Sequence, residues 1–220
     1  MTGALRSVEA RGVSKIYERR FAVHDVSLRL EAGTVTGIAG HNGAGKTTLF
    51  SLLSTLVAPS RGQLLFDDVP AGDWDRTALR SRIGLLGHKS FLYPDMDGLE
   101  NLTFFGRLYG LRAALDDRVR EALEAVDMWG ARRRRVKHCS RGMVQRLAFA
   151  RVLVQDPALW LLDEPTTGLD TDTKARLLHL VAGQRTRGRI VAVISHEADT
   201  LAQLSDRMLR LHGGRIEEHP

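Results

Sequence analysis

The sequence predicts an α/β fold: a core of buried strands and helices interrupted by an all-helical stretch. Three observations carry that reading. A glycine loop of the form GxxxxGK followed by Ser or Thr, Gly40-His41-Asn42-Gly43-Ala44-Gly45-Lys46-Thr47, stands between an apolar strand and a helix. An acidic pair, Asp163-Glu164, directly follows the apolar run Ala158-Leu159-Trp160-Leu161-Leu162. Between the two, from Gly98 to Gln155, the apolar spacing changes to a helical period.

From Leu5 to Phe66 alternation and short apolar runs read as strands, with Thr34-Val35-Thr36-Gly37-Ile38-Ala39 a buried one. Thr48-Leu49-Phe50-Ser51-Leu52-Leu53 continues a helix out of the loop. Pro59-Ser60-Arg61-Gly62 reads as a turn into the strand Gln63-Leu64-Leu65-Phe66, and Ile83-Gly84-Leu85-Leu86-Gly87 as another short buried strand. In the helical stretch, Leu99, Leu102, Phe105, Leu108 and Tyr109 share a face, as do Val119, Leu123 and Val126, with Asp116 as the N-cap there. A helix runs from Leu147 to Val154. Strand character returns at Leu159–Leu162 and at Ile190-Val191-Ala192-Val193-Ile194.

The glycine loop is a phosphate cradle. Gly40, Gly43 and Gly45 let the backbone bend where a side chain would clash, and the freed N–H groups point into one concavity. The helix starting near Lys46 adds its positive end. Lys46 brings a full charge to terminal phosphates and Thr47 a hydroxyl for Mg²⁺. At the tip of the later strand, Asp163 can hold the Mg²⁺ shell and Glu164 can polarise an attacking water as general base. Ser140, in Cys139-Ser140-Arg141-Gly142-Met143-Val144-Gln145-Arg146, is a good helix N-cap; its hydroxyl and the Gly142 N–H would also make a phosphate-facing helix start. His196, in Ile194-Ser195-His196-Glu197, ends the last core strand. A lone histidine is commonly structural, yet its strand tip matches those at Gly40 and Asp163, the expected ligand crevice of an open α/β sheet.

The chain has 220 residues, 43% hydrophobic and 26% charged, an ordinary globular composition. No apolar run reaches the roughly 18 residues of a membrane span. The start, Met1-Thr2-Gly3-Ala4-Leu5-Arg6, lacks the pattern of a signal peptide, and the single cysteine, Cys139, suits a reducing cytosol. Net charge is +6; the run Arg132-Arg133-Arg134-Arg135 with Lys137 and His138 is either a solvated loop or a contact for a membrane surface or partner. No aromatic residues interleave it, so nucleic acid is not an expected ligand.

The order of these motifs resembles the ATP-binding subunit of an ABC transporter over essentially the whole chain. The loop around Lys46 resembles Walker A (Gly40, His41, Asn42, Gly43, Ala44, Gly45, Lys46, Thr47 and Thr48 as nucleotide contacts), and Asp163-Glu164 resembles Walker B with its catalytic glutamate. Ser140-Arg141-Gly142 resembles the ABC signature, Thr167-Gly168-Leu169-Asp170 the D-loop and His196 the switch histidine, while Tyr17 matches the aromatic that stacks on adenine. The resemblance implies ATP and Mg²⁺ as cofactors. It also implies a P-loop NTPase core, a mixed sheet flanked by helices, with an antiparallel β subdomain and an inserted helical subdomain. These form one ATP-binding domain: 1–88 and 156–220 the core with its β subdomain, 89–155 the helical subdomain with the signature. It implies a head-to-tail homodimer with each ATP between one Walker A and the partner's signature. That dimer would drive integral membrane permease subunits from the cytoplasmic face of the inner membrane, with no span of its own.

At position 88, where the family's metal-contacting glutamine falls, this chain has His88. Mg²⁺ prefers oxygen, so an imidazole there is suited to bonding a metal-bound water. Arg141 and Met143 stand where the signature has Gly and Gln; Arg141 either adds charge near the partner's ATP or points to solvent. Gly87-His88-Lys89 with Leu99-Glu100-Asn101-Leu102-Thr103-Phe104-Phe105, and Leu159-Trp160-Leu161-Leu162-Asp163-Glu164, resemble the ATPase subunit of the heme exporter of cytochrome c maturation, which makes heme export the leading expectation and another ABC-2 exporter the alternative. ABC-2 exporters of drugs, lipids or polysaccharides share much of the pattern, including Ser-Arg-Gly-Met. Against an ABC ATPase acting on DNA or ribosomes, the interval from Lys46 to Ser140 holds no sustained heptads and the chain carries one cassette.

Overall fold

The computed structural model describes residues 4–218; Met1-Thr2-Gly3, read above for a leader, and the last two residues lie outside the described residues. Alternation builds the first sheet. Val8, Ala10 and Val13 of β1 (Ser7–Tyr17) and Val26, Leu28 and Leu30 of β2 (Arg20–Glu31) are buried while charged neighbours face out. The two strands pair antiparallel across a hairpin at Glu18-Arg19, whose left-handed φ angles of 45° and 65° match the strand twist. β3 (Thr34–Ala39) passes through the glycine loop into α1 (Lys46–Leu53). β4 (Arg61–Phe66) and the short β5 (Val69–Pro70) complete an antiparallel sheet of order β2-β1-β4-β5. β4 starts inside the expected turn, because Arg61 already pairs with Ser14.

After α2 (Arg76–Ser81) and β6 (Ile83–Leu86) come α3 (Gly98–Leu108), α4 (Leu115–Ala125) and α5 (Arg141–Gln155). The chain ends with β7 (Leu159–Asp163), α6 (Thr171–Thr186), β8 (Ile190–Ile194), α7 (Ala198–Leu204), β9 (Arg207–His212) and β10 (Arg215–Glu218). Among the described residues the second sheet has the order β10-β9-β3-β8-β7-β6, parallel except for β10. Its central strands are covered on both faces, which is why they read as unbroken apolar runs. Ile38, Leu161 and Ala192 enter one buried cluster; Val35, Trp160 and Val193 enter the other.

The helical stretch departs from expectation at two points. The buried stripe of α3 is Gly98, Asn101, Leu102, Phe105 and Gly106; Leu108 falls at its margin and is 67% exposed. α4 begins at Leu115 with Ala114 as a left-handed N-cap, so Asp116 sits in the first turn, where it favours the helix dipole instead of capping it. Val119, Leu123 and Val126 are buried as expected. α3 opens on a capping box between Asp97 and Glu100. The arginine run is pinned: Arg132 lies 4.1 Å over the Trp129 ring, Arg133 is 3.6 Å from Asp97, and Lys137 bonds Asp95 at 2.7 Å. Part of its charge is thus answered within the chain.

Candidate active site

Three neighbouring parallel strands, β3, β8 and β7, end on one edge; the segments after β3 and β7 line one cleft, and the tip of β8 sets Ser195 and His196 against Glu164 there. The cleft, about 280 Å³, is lined by Ala22, Asn42 to Thr48, His88, Asp163 and Glu164. A larger one of about 420 Å³, between Thr55–Pro59 and α2, gathers no acidic groups and is not where the chemistry converges. No side chain caps the start of α1, where Gly45 has φ 102°. A Cβ on Gly45 would stand 2.2 Å from the Ala22 carbonyl oxygen, so the loop closes down on β2 only because the residue is glycine. Lys46 Nζ donates to the carbonyls of Gly40 (2.6 Å) and His41 (3.1 Å), which keeps the ammonium curled over the loop where phosphate oxygens can replace those acceptors.

The metal side of the cleft is assembled across the sheet. Thr47 Oγ1 donates to Asp163 Oδ2 at 3.0 Å, and His88 Nε2 approaches the same oxygen at 3.5 Å. Burial pushes the Asp163 carboxyl above the usual carboxylate range, against the opposing pull of Thr47, His88 and Lys46. Hydroxyl and carboxylate oxygens at this spacing fit a hard cation. Among the described residues no group of three or more His, Cys, Asp and Glu could hold a metal alone, so its remaining ligands would be phosphate and water.

Glu164 follows with a left-handed backbone, φ 53°, and its N–H donates to Ile194 O at 2.9 Å across to β8. Its Oε2 accepts from His196 Nδ1 (2.8 Å), Thr167 Oγ1 (3.3 Å) and Ser195 Oγ (3.4 Å). A carboxylate so oriented at the mouth of the cleft can take a proton from water.

The structure therefore gathers the residues 42–48, Asp163, Glu164, His196 and His88, with Gly40 and His41 beneath Lys46. It does not bring Ser140, Arg141 and Gly142 into this cleft. Ser140 is the N-cap of α5, its Oγ accepting from Met143 N at 3.2 Å, and Gly142 packs on the Gly168 carbonyl. Arg141 is exposed, with its stem beside Gly168. Tyr17 lies at the hairpin, 47% exposed, with Lys15 Nζ 5.2 Å over its ring, and is not a lining residue; Ala22 is the cleft's contribution from that sheet. Sequence reasoning assigned no role to Gln145, whose Nε2 donates to the carbonyls of Glu164 and Pro165, both at 3.1 Å. A glutamine one turn beyond the N-cap of a helix facing the acidic loop is the signal that marks it.

Comparison with known proteins agrees with this arrangement. The ABC transporter family profile matches residues 23–167. The ABC transporter ATP-binding protein NatA of Bacillus subtilis is 37% identical over 197 residues, 89% of this chain and 80% of that one. The daunorubicin/doxorubicin resistance ATP-binding protein DrrA of Streptomyces peucetius is 34% identical over 98% of this chain, which spans only 65% of that relative's length. The dimeric structure of a bacterial ABC transporter cassette superposes with TM-score 0.89 at 26% identity, covering 96% of this chain and 97% of the other. A post-hydrolysis dimeric cassette bound to ADP and Pi gives 0.88, also at 26% identity and over the same shares of the two chains.

Proposed function

The chain belongs to the ABC transporter family, and on that premise we propose that it is the ATP-hydrolysing subunit of an ABC-2 type exporter, working as a homodimer on separate membrane subunits. The single observation that carries the hydrolytic reading is the meeting of Asp163-Glu164 at the tip of β7 with the Lys46 loop at the tip of β3. Lys46 neutralises the terminal phosphates. Thr47 and Asp163 hold Mg²⁺, which when bound offsets phosphate charge and orients the leaving group. Glu164 accepts the proton of the attacking water, and His196 fixes the carboxylate that does so. The dimer is supported by the place of Ser140 and Gly142: a phosphate-facing helix start outside its own cleft suits the nucleotide of a second copy. Tyr93 and Phe104, both exposed and 5.1 Å apart, together with the exposed Phe91 and Leu108 of the same stretch, offer apolar surface for a membrane subunit. No helix among the described residues is long and apolar enough to cross a membrane, so the chain would attach peripherally, on the cytoplasmic face.

The cargo class follows the relatives: their names speak of daunorubicin resistance and, for a protein of Cupriavidus pinatubonensis 34% identical over 94% of this chain, of Nod factor export. None of these is named for heme, so the relatives support the ABC-2 exporter reading over the heme-export reading that the sequence puts ahead. Two measurements test the proposal. Glu164→Gln keeps nucleotide binding and lowers ATP turnover by about 10²–10⁴; turnover at the wild-type rate refutes the assigned base. Affinity purification from solubilised membranes recovers a permease subunit; recovery of ribosomes or salt-sensitive DNA instead overturns the transport role.

A further inference from the structure

We infer that His88 binds the nucleotide's divalent cation directly through Nε2, giving this site a nitrogen ligand and shifting its preference from Mg²⁺ toward Mn²⁺ and other ions that accept imidazole. The inference rests on the nucleotide-binding reading of the cleft. Its ground is that two further donor atoms, one oxygen and one nitrogen, stand close to a single carboxylate oxygen of Asp163. Asp163 Oδ2 stands 3.0 Å from Thr47 Oγ1 and 3.5 Å from His88 Nε2. Adjacent ligands of an octahedral ion with bonds near 2.1 Å stand about 3.0 Å apart, so the pair of oxygens already has coordination spacing and the nitrogen needs to close by about 0.5 Å. The His88 side chain has room for that movement: it is 67% exposed, on the segment that leaves β6, and it lines the cleft beside the buried Asp163. Lys46 does not compete for the position, since its ammonium is turned to the carbonyls of Gly40 and His41. Oxygen donors suit Mg²⁺ and Mn²⁺ alike, whereas an added imidazole is accepted by Mn²⁺ and the other divalent transition ions far more readily than by Mg²⁺.

The test uses the full chain with Mn²⁺ and adenosine β,γ-imidotriphosphate. Pulsed electron paramagnetic resonance of the complex should show the nitrogen coupling of a metal-bound imidazole, and His88→Gln should remove it. The same substitution should lower the ratio of Mn²⁺ to Mg²⁺ affinity, measured by competition, on the order of tenfold. An unchanged spectrum and an unchanged ratio in His88→Gln, with nucleotide-dependent Mn²⁺ binding intact, overturn the inference and leave the nucleotide site standing. Failure of Mn²⁺ to bind with nucleotide in the wild-type chain overturns both.

Discussion

Gln145 is the most instructive residue to perturb, because it ties the start of α5 to the backbone of the proposed base. Its amide donates to two consecutive carbonyls, Glu164 O and Pro165 O, each at 3.1 Å, and Glu164 sits there with φ 53°, a conformation that a glutamate adopts only when its surroundings impose it. Gln145→Leu keeps the side-chain volume and removes both donors. Two part-buried carbonyls lose their partners, a loss of about 1–3 kcal/mol in all. In a chain of this size each kcal/mol lowers the melting temperature by about 2–4 °C. The catalytic effect should exceed the stability effect: a base displaced by even about 1 Å can lose on the order of 10² in rate. Gln145→Glu sharpens the test, since it turns a carboxylate toward the same two carbonyls and should destabilise more than leucine, whereas a residue needed only for packing would tolerate glutamate as well as or better than leucine. The assays are thermal melting and steady-state ATPase, with nucleotide affinity measured separately and expected to hold. If Gln145→Leu melts within about 1 °C of wild type and hydrolyses ATP within about threefold of it, Gln145 does not position Glu164.

Other substitutions read other parts of the same construction. Gly45→Ala forces a Cβ to 2.2 Å from the Ala22 carbonyl oxygen at a φ of 102°, so it should cost at least about 2 kcal/mol and abolish binding of a fluorescent ATP analogue; wild-type melting and binding would show that the loop is not locked onto β2. Asp206 holds the start of β9: its carboxylate accepts from Val35 N at 2.9 Å and Arg185 Nη1 at 2.6 Å, and the backbone bond, then Arg185, hold its carboxyl below the usual range. A depressed folded value means that this stability is complete above the ordinary carboxyl value of about 3.9 and is lost as pH falls through it toward the folded one. Asp206→Asn should therefore cost about 1 kcal/mol near pH 7, kept small because the side chain is 34% exposed, and progressively less as pH falls below the ordinary carboxyl value; a urea-unfolding difference that does not shrink on acidification would refute the linkage.

The parts of the fold legible in the sequence are those fixed by local chemistry. β3, β7 and β8 appear as apolar runs because both of their faces are covered, and the glycine loop appears because only a strand and a helix at its ends give it meaning. Convergence at one edge followed from the parallel topology that such runs imply. What failed to show depended on neighbours remote in the chain. Leu108 has the right period for the α3 stripe and still faces solvent, because the periodic signal spans a wider arc than the partners cover. Asp116 has a capping side chain, yet Ala114 took the cap position because the turn before α4 bends two residues earlier. Ser195 and His196 reach Glu164 only through the juxtaposition of β7 and β8, which no spacing within either segment announces.

The geometry of a single copy also explains why nucleotide should be needed to complete the site. Among the described residues the three side-chain donors to Glu164 all meet Oε2, so the carboxylate is held by the fold and Oε1 takes none of them. Lys46 is in the opposite condition: its charge rests on two loop carbonyls and gains a full counter-charge only when phosphate displaces them. One half of the machinery is thus set by the fold and the other half waits for ligand. The helix start at Ser140 belongs to neither half of its own cleft, since Gly142 is packed on Gly168 and Gln145 ties that helix to the loop of the base. A phosphate group presented by a second copy would press on Ser140, and through Gln145 the movement would reach Glu164. In the proposed dimer this would couple binding at the neighbour's site to the aim of the base at the home site, and Gln145→Leu should weaken the dependence of one site's turnover on the other.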